Sequence, residues 1–141
     1  MVMVPGTIYA AMLAHVQAGY PDEACGILAG NAEGTAFIKH FPARNAAADD
    51  GGDPHTFSII AAPELLQIVN EIYDADGSVL VYYHSHPQTA AYPSARDIRY
   101  ANNWPGTYYF IFSLADRTNP VMRAFLISGE TVNEKAVEIE E

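Results

Sequence analysis

The spacing of hydrophobic residues along the chain predicts three helices. From Thr7 to Ala18 apolar side chains recur at the three- and four-residue intervals typical of a helix that packs one face on a core. Thr7 is the expected N-cap of this helix and Gly19 its expected end. A second helix is expected to begin at Pro63, which suits a first helical turn, and a third to run over residues 94–102.

Short apolar runs between these helices predict strands. The predicted strands cover Ala24–Ala29, Thr35–Phe41, His55–Ile60, Leu80–Tyr83, Thr107–Leu114 and Val121–Ile127. The segment Asn45–Pro54 has no periodicity, two glycines and three aspartates, so we expect a loop there. Because strands and helices alternate early and strands cluster late, the pattern favours a mixed α/β sheet with helices packed on it.

Length, charge and cysteine content narrow the class of protein. The 141 residues suit one domain, and half of them are apolar, enough for a real core. No apolar run approaches the roughly 20 residues that cross a bilayer. The lack of such a run predicts no membrane partner. With 17 acidic and 7 basic residues the net charge is −10, which would repel nucleic acid, so no nucleic-acid partner is expected. Cys25 is the single cysteine, and no export signal is visible, so a cytoplasmic location is expected.

The chemistry of the chain concentrates where a predicted strand runs into His84. Alternate residues of a strand point the same way, so His84 and His86 can chelate one ion. Asp97, in the first turn of the next helix, can supply a carboxylate oxygen, which leaves a fourth position for water, as in catalytic zinc sites. Two less specific explanations exist: the histidines could be surface residues, and Ser94 with Asp97 could form only a helix capping box.

A general base for such a site can be proposed but not selected from the residues alone. Glu23 lies at the entrance of the strand that begins at Ala24. The other acidic candidates are Asp22, Asp49 and Asp53.

Taken together, these residues resemble the motif of a known family. Glu23 is followed by Ala24-Cys25-Gly26. His84-x-His86 is followed by seven residues, then Ser94, two residues and Asp97. This pattern resembles the JAMM (MPN+) zinc metallopeptidases at all five motif positions. The resemblance covers most of the chain, and Pro21–Gly26 and Ala91–Ser94 are most similar to the bacterial Mec+ type.

The resemblance implies a fold, a cofactor and a reaction. The fold would be a cytidine-deaminase-like α/β/α sandwich, a mixed sheet flanked by helices, formed by residues 1–141 as a single domain. One Zn²⁺ would be held by His84, His86 and Asp97. Glu23 would take a proton from the attacking water, and Ser94 would bind the oxyanion.

The substrate is implied in the same way. The family cuts peptide or isopeptide bonds next to the C-terminus of ubiquitin-like proteins, and the Mec+ type releases cysteine from a ubiquitin-like sulfur carrier. The family also places a substrate-contacting segment at the position of the loop Asn45–Pro54.

Two other functions are compatible with the sequence. A catalytically silent scaffold of the same fold is one, although such relatives typically lose motif residues. An enzyme that uses Cys25 as its nucleophile is the other, although a lone cysteine in an apolar strand is more typical of a buried core position.

Overall fold

The computed structural model describes residues 1–141, which form eight strands and three α-helices. The strands are β1 (Val2–Pro5), β2 (Cys25–Gly30), β3 (Phe37–Ala43), β4 (Ser78–His86), β5 (Tyr108–Ser113), β6 (Val121–Ser128), β7 (Thr131–Lys135) and β8 (Val137–Glu140). The helices are α1 (Gly6–Gly19), α2 (Ala62–Asp74) and α3 (Ala95–Ala101). A 3₁₀ turn covers Ala47–Asp50, inside the predicted loop.

Six of the strands form one mixed sheet in the order β3-β2-β4-β5-β6-β7. Strands β4 and β5 are parallel, and every other neighbouring pair in this sheet is antiparallel. Strand β4 therefore lies inside the sheet, paired on both edges, and its C-terminal end carries the two histidines of the motif. The remaining strands, β1 and β8, form a separate parallel pair.

Helices cover both faces of the large sheet. On one face Met12 and Val16 of α1 are fully buried in a cluster that also contains Val4 of β1. On the other face Ile68 of α2 and Ala101 of α3 belong to a second buried cluster. This arrangement confirms the predicted α/β/α sandwich, a mixed sheet flanked by helices. None of the three helices is long and apolar enough to span a membrane.

The structure corrects the prediction of a strand at His55–Ile60. This segment has no strand geometry and no partner in either sheet. Its backbone is instead bonded by Asn45, which donates from Nδ2 to the carbonyl of Phe57 and accepts at Oδ1 from the N–H of Ile59. The bulky and branched side chains of this segment therefore give a strand-like sequence pattern. Its backbone nevertheless bonds to the Asn45 side chain and not to a neighbouring strand.

Two smaller predictions about element ends were also wrong. Helix α1 begins at Gly6 after Pro5 and has no side-chain cap, so Thr7 lies inside the first turn. Strand β3 is shifted by two residues, to Phe37–Ala43.

A close contact between β2 and β4 brings the two motif strands together. A Cβ added at Gly26 would lie 2.5 Å from Cε1 of Tyr83, so only glycine lets this ring lie over β2. The two strands pair with Cys25 opposite His84. The glycine after Cys25 thus has a packing role in placing the start of β2 beside the histidines.

Candidate metal centre

The two histidines of the motif converge at the end of β4. His84 is fully buried and His86 is 6 % exposed. Their Nε2 atoms lie 3.1 Å apart, which confirms that both side chains point to the same face of the strand.

Asp97 completes the cluster from helix α3. Its Oδ2 atom lies 3.2 Å from Nε2 of His84 and 3.0 Å from Nε2 of His86. The same oxygen accepts a hydrogen bond from the N–H of Ser94, while the Ser94 hydroxyl accepts one from the N–H of Asp97. A reciprocal capping box therefore fixes the first turn of α3 and at the same time aims the carboxylate at the two imidazoles.

Different contacts orient the two imidazole rings. His86 donates from Nδ1 to the carbonyl of Ala90 at 2.8 Å, which directs the lone pair of Nε2 at the cluster when the ring is neutral. The Nδ1 atom of His84 is buried without a hydrogen-bond partner. Packing orients this ring, edge-on against Tyr109 with centroids 5.3 Å apart.

The electrostatics of the cluster favour an ionised carboxylate. Burial raises the pKa of Asp97, but the charges and hydrogen bonds of His84 and His86 outweigh it and hold the pKa well below its usual range. Burial lowers the pKa of His86, and here the hydrogen bond to Asp97 prevails, so the pKa is raised. The chain therefore keeps an anion at this position across the physiological range.

The donor set fits a tetrahedral zinc site. One ligand atom from each of His84, His86 and Asp97 lies within 4.8 Å of the others. Two nitrogens, each about 2.0–2.1 Å from a tetrahedral zinc, would be roughly 3.3 Å apart. The observed 3.1 Å between the Nε2 atoms is close to that spacing. Two imidazoles and one carboxylate also leave one position open, as in catalytic rather than structural zinc sites.

Glu23 lies beside this cluster because of the β2–β4 register. Cys25 pairs with His84, and the N–H of Ser85 donates to the carbonyl of Ala24, so Glu23 comes next to the end of β4. Glu23 is only 5 % exposed. Burial raises the pKa of its carboxyl above the ordinary value, against the lowering effects of His84 and His86. A buried carboxylate with a raised pKa is a stronger proton acceptor than one in water.

The other acidic candidates lie elsewhere on the surface. Asp22 is half-buried, and its Oδ1 lies 3.1 Å from Nε2 of His55. Asp49 is exposed and forms an ion pair with Arg44. Asp53 is exposed and accepts a hydrogen bond from the N–H of His55. The structure therefore brings only Glu23 of the four next to the histidines.

Two residues that sequence reasoning missed hold Glu23 in place. Asn45 donates to the carbonyl of Glu23 at 3.0 Å and links it to the segment after the loop. The Ser58 hydroxyl is a polar neighbour of the Glu23 carboxyl and lowers its pKa. Asn45 was visible only as the first residue of a loop, and nothing in the local pattern distinguished Ser58.

An open groove of about 530 Å³ lies between the loop that contains Ala46 and helices α2 and α3, and none of the cluster residues lines it. It is bounded by Ala46 and Asp49 of the loop, by Ile59 next to Ser58, and by Tyr100, one turn beyond Asp97 on α3. Eight of its eleven lining residues are hydrophobic. The groove therefore offers an apolar surface to an extended segment of another chain.

The remaining cysteine and histidines take no part in the cluster. Cys25 is fully buried, as the sequence predicted, and burial raises the pKa of its thiol to about 12. A thiol of that kind is a poor nucleophile at neutral pH. His15 and His40 are half-buried on the opposite face, where His40 lies 2.6 Å from the Tyr83 hydroxyl.

Fold and site together define a mixed α/β domain with a His-His-Asp cluster compatible with a metal ion at the end of an internal strand. Within that class, the chain belongs to the prokaryotic JAB family: the family model described as "Prokaryotic homologs of the JAB domain" matches residues 5–128.

Two characterised relatives align with nearly the whole chain. The CysO-cysteine peptidase of Mycobacterium tuberculosis is 33% identical over 150 residues, which cover 100% of this chain and 99% of the relative. The desampylase of Haloferax volcanii is 31% identical over 134 residues, which cover 92% of this chain and 90% of the relative.

Solved structures share the fold. A protein from Desulfitobacterium hafniense superimposes with a TM-score of 0.84 at 34% identity, covering 100% of this chain and 94% of that one. A JAB1/MPN domain protein from Archaeoglobus fulgidus superimposes with a TM-score of 0.62 at 18% identity, covering both chains completely. The predicted JAMM/MPN fold is therefore confirmed.

Proposed function

We propose that this chain is a zinc-dependent JAMM-type peptidase or isopeptidase. It cleaves the bond after the C-terminal tail of a ubiquitin-like protein and releases cysteine from a sulfur carrier. The observation that carries this proposal is the convergence of His84, His86 and Asp97 beside the buried Glu23. The names of the two relatives, a CysO-cysteine peptidase and a desampylase, support the same reaction class.

Each residue of the cluster has a distinct role in the proposed mechanism. His84, His86 and Asp97 would hold one Zn²⁺ per chain, which supplies Lewis acidity toward the substrate carbonyl and its attacking water. Glu23 accepts the proton that the water loses and donates it to the leaving amine.

Ser94 stabilises the developing oxyanion. Its oxygen accepts the hydrogen bond from Asp97 N–H, so its hydroxyl hydrogen remains free to donate to the substrate. Helix capping and oxyanion binding are therefore compatible at this one side chain.

The partner is a ubiquitin-like sulfur-carrier protein. We propose that its extended tail approaches the metal cluster past the loop Asn45–Pro54, residues of which border the apolar groove. The net charge of −10 would repel nucleic acid. We propose that residues 1–141 act as a single domain, and the lone cysteine fits a reducing cytoplasm.

A mass measurement tests this function directly. The protein is incubated with a ubiquitin-like carrier that ends in Gly-Gly followed by one added cysteine. We expect loss of the terminal cysteine, abolished by a chelator and restored by zinc. An intact carrier, with zinc bound to the protein, would favour a silent scaffold instead. Comparable cleavage of unrelated linear peptides, with the carrier left intact, would contradict the carrier substrate but retain the peptidase.

A further inference from the structure

An arginine next to a proposed metal ligand has no acidic partner in this strongly acidic chain. Arg96 is exposed and, like Arg99, Arg117 and Lys135, has no carboxylate oxygen within 4.0 Å, whereas Lys39, Arg44 and Arg123 form ion pairs; what distinguishes Arg96 is its place beside Asp97. The guanidinium carbon of Arg96 instead lies 4.3 Å from the ring centroid of Phe57. Its positive charge is thus held on an aromatic face and is not neutralised by the protein.

This contact joins the two sides of the site. Arg96 directly precedes Asp97 on α3. Phe57 directly precedes Ser58, the polar neighbour that lowers the pKa of the Glu23 carboxyl. The carbonyl of Phe57 also accepts from Asn45, the residue that holds the carbonyl of Glu23. The guanidinium therefore lies between the helix of the metal ligand and the segment that supports the base.

We propose that Arg96 binds the free α-carboxylate of the residue that the enzyme releases and so selects substrates that end one residue beyond the scissile bond. This inference rests on the proposed function. The contact with Phe57 engages none of the Arg96 N–H groups in a hydrogen bond, so the planar fork that matches a carboxylate is available to a substrate. A carrier–cysteine conjugate offers such a carboxylate next to the scissile bond. A lysine side chain inside a target protein does not.

The test compares two substrates that differ only in this charge. One is a carrier that ends in a single added cysteine with a free carboxylate, and the other is the same carrier with a cysteine amide. For the wild type we expect kcat/KM about tenfold higher on the acid, in keeping with a charge-assisted hydrogen bond. Arg96→Ala should lose this preference by slowing the acid substrate alone, and Arg96→Lys should retain part of it.

The matched control is Arg99→Ala, which removes the same charge from an exposed position on the same helix. We expect it to keep the wild-type ratio between acid and amide. Equal loss on both substrates in Arg96→Ala would mean that Arg96 only braces Phe57 and would overturn the inference, as would a wild type without preference. Cleavage of neither substrate by the wild type would instead contradict the proposed function, on which the inference depends.

Discussion

The side chain of Asn45 donates to the carbonyl oxygen of Glu23 at 3.0 Å, although the two residues are 22 positions apart. The same amide donates to the carbonyl of Phe57 and accepts from the N–H groups of Ala47 and Ile59. One side chain therefore joins the entrance of β2, the loop and the irregular segment that follows it. The Glu23 backbone is held at its carbonyl by Asn45 and at its N–H by the carbonyl of Pro54, so the position of the proposed base depends on both contacts.

We predict that Asn45→Ala lowers both stability and turnover. Loss of several hydrogen bonds should reduce the free energy of unfolding by about 2 kcal/mol. Because the Glu23 backbone loses one of its two anchors, kcat should fall as well. Urea unfolding and steady-state kinetics on the carrier substrate measure the two effects.

Asn31 supplies the matched control. It makes similar bonds to Thr35 in the turn between β2 and β3, away from the cluster. Asn31→Ala should therefore lower stability and leave kcat unchanged. Wild-type kcat in Asn45→Ala would show that this residue does not position the base.

Replacing both histidines should remove the metal. We predict about one zinc per chain in the wild type and none in the His84→Ala/His86→Ala double variant, because a single carboxylate cannot retain the ion. Elemental analysis of the untagged protein measures this. His55→Ala, at an exposed position that pairs with Asp22, should keep its zinc. Unchanged zinc in the double variant would rule out this site.

Asp97 has two roles that substitutions can separate. Asp97→Asn retains an oxygen that can accept from Ser94 N–H but loses the charge, so zinc affinity should fall while the metal-free protein stays close to wild-type stability. Asp97→Ala should lose both the charge and the capping hydrogen bond. Loss of the cap should lower the free energy of unfolding by about 1 kcal/mol. Zinc titration and thermal unfolding in chelator give the two readouts. Equal stability of the two variants without metal would contradict a capping role.

The histidine pair and Asp97 were predictable because they depend on short-range rules. Side chains two residues apart on a strand point to the same face of the sheet. A carboxylate three residues after a serine favours a capping box in the first turn of a helix. The 3.1 Å between the histidines and the capping box at Ser94 confirm both rules. Periodicity likewise predicted a mixed sheet with helices packed on it, whereas the α/β/α sandwich was implied by the family resemblance.

The environment of Glu23 could not be predicted because it depends on long-range pairing. The N–H of Ala24 donates to the Ser85 hydroxyl, and the N–H of Ser85 donates to the Ala24 carbonyl, although the two residues are 61 positions apart. No local sequence pattern specifies that register. The same holds for the segment after the loop. Phe57 and Ile59 have strand-like side chains, but the bonding partner of their backbone is a distant amide.

Behind the sheet, His40 should make stability depend on pH. Burial, with a contribution from His15, lowers the pKa of His40 from 6.5 to about 4. A histidine with a lowered pKa stabilises the fold fully above pH 6.5, and that stability is lost as the pH falls toward 4. In His40→Gln the decline in the free energy of unfolding over this window should be shallower. Urea titrations from pH 7 to 4 measure the difference between the two proteins, and identical slopes would contradict the prediction.

The strongest test of the chemical roles compares two adjacent carboxylates, Glu23 and Asp22. Glu23→Gln should bind zinc like the wild type but lose about 10²- to 10⁴-fold in kcat, because an amide cannot accept the proton of the attacking water. Asp22→Asn makes the same chemical change one residue earlier, where the side chain is half-buried and bonds to His55, so its kcat should stay within about twofold of the wild type. Zinc content and kcat on the carrier substrate are measured for both variants. Near wild-type turnover in Glu23→Gln, or a large loss confined to Asp22→Asn, would assign proton transfer to another residue and leave Glu23 with a structural role at the entrance of β2.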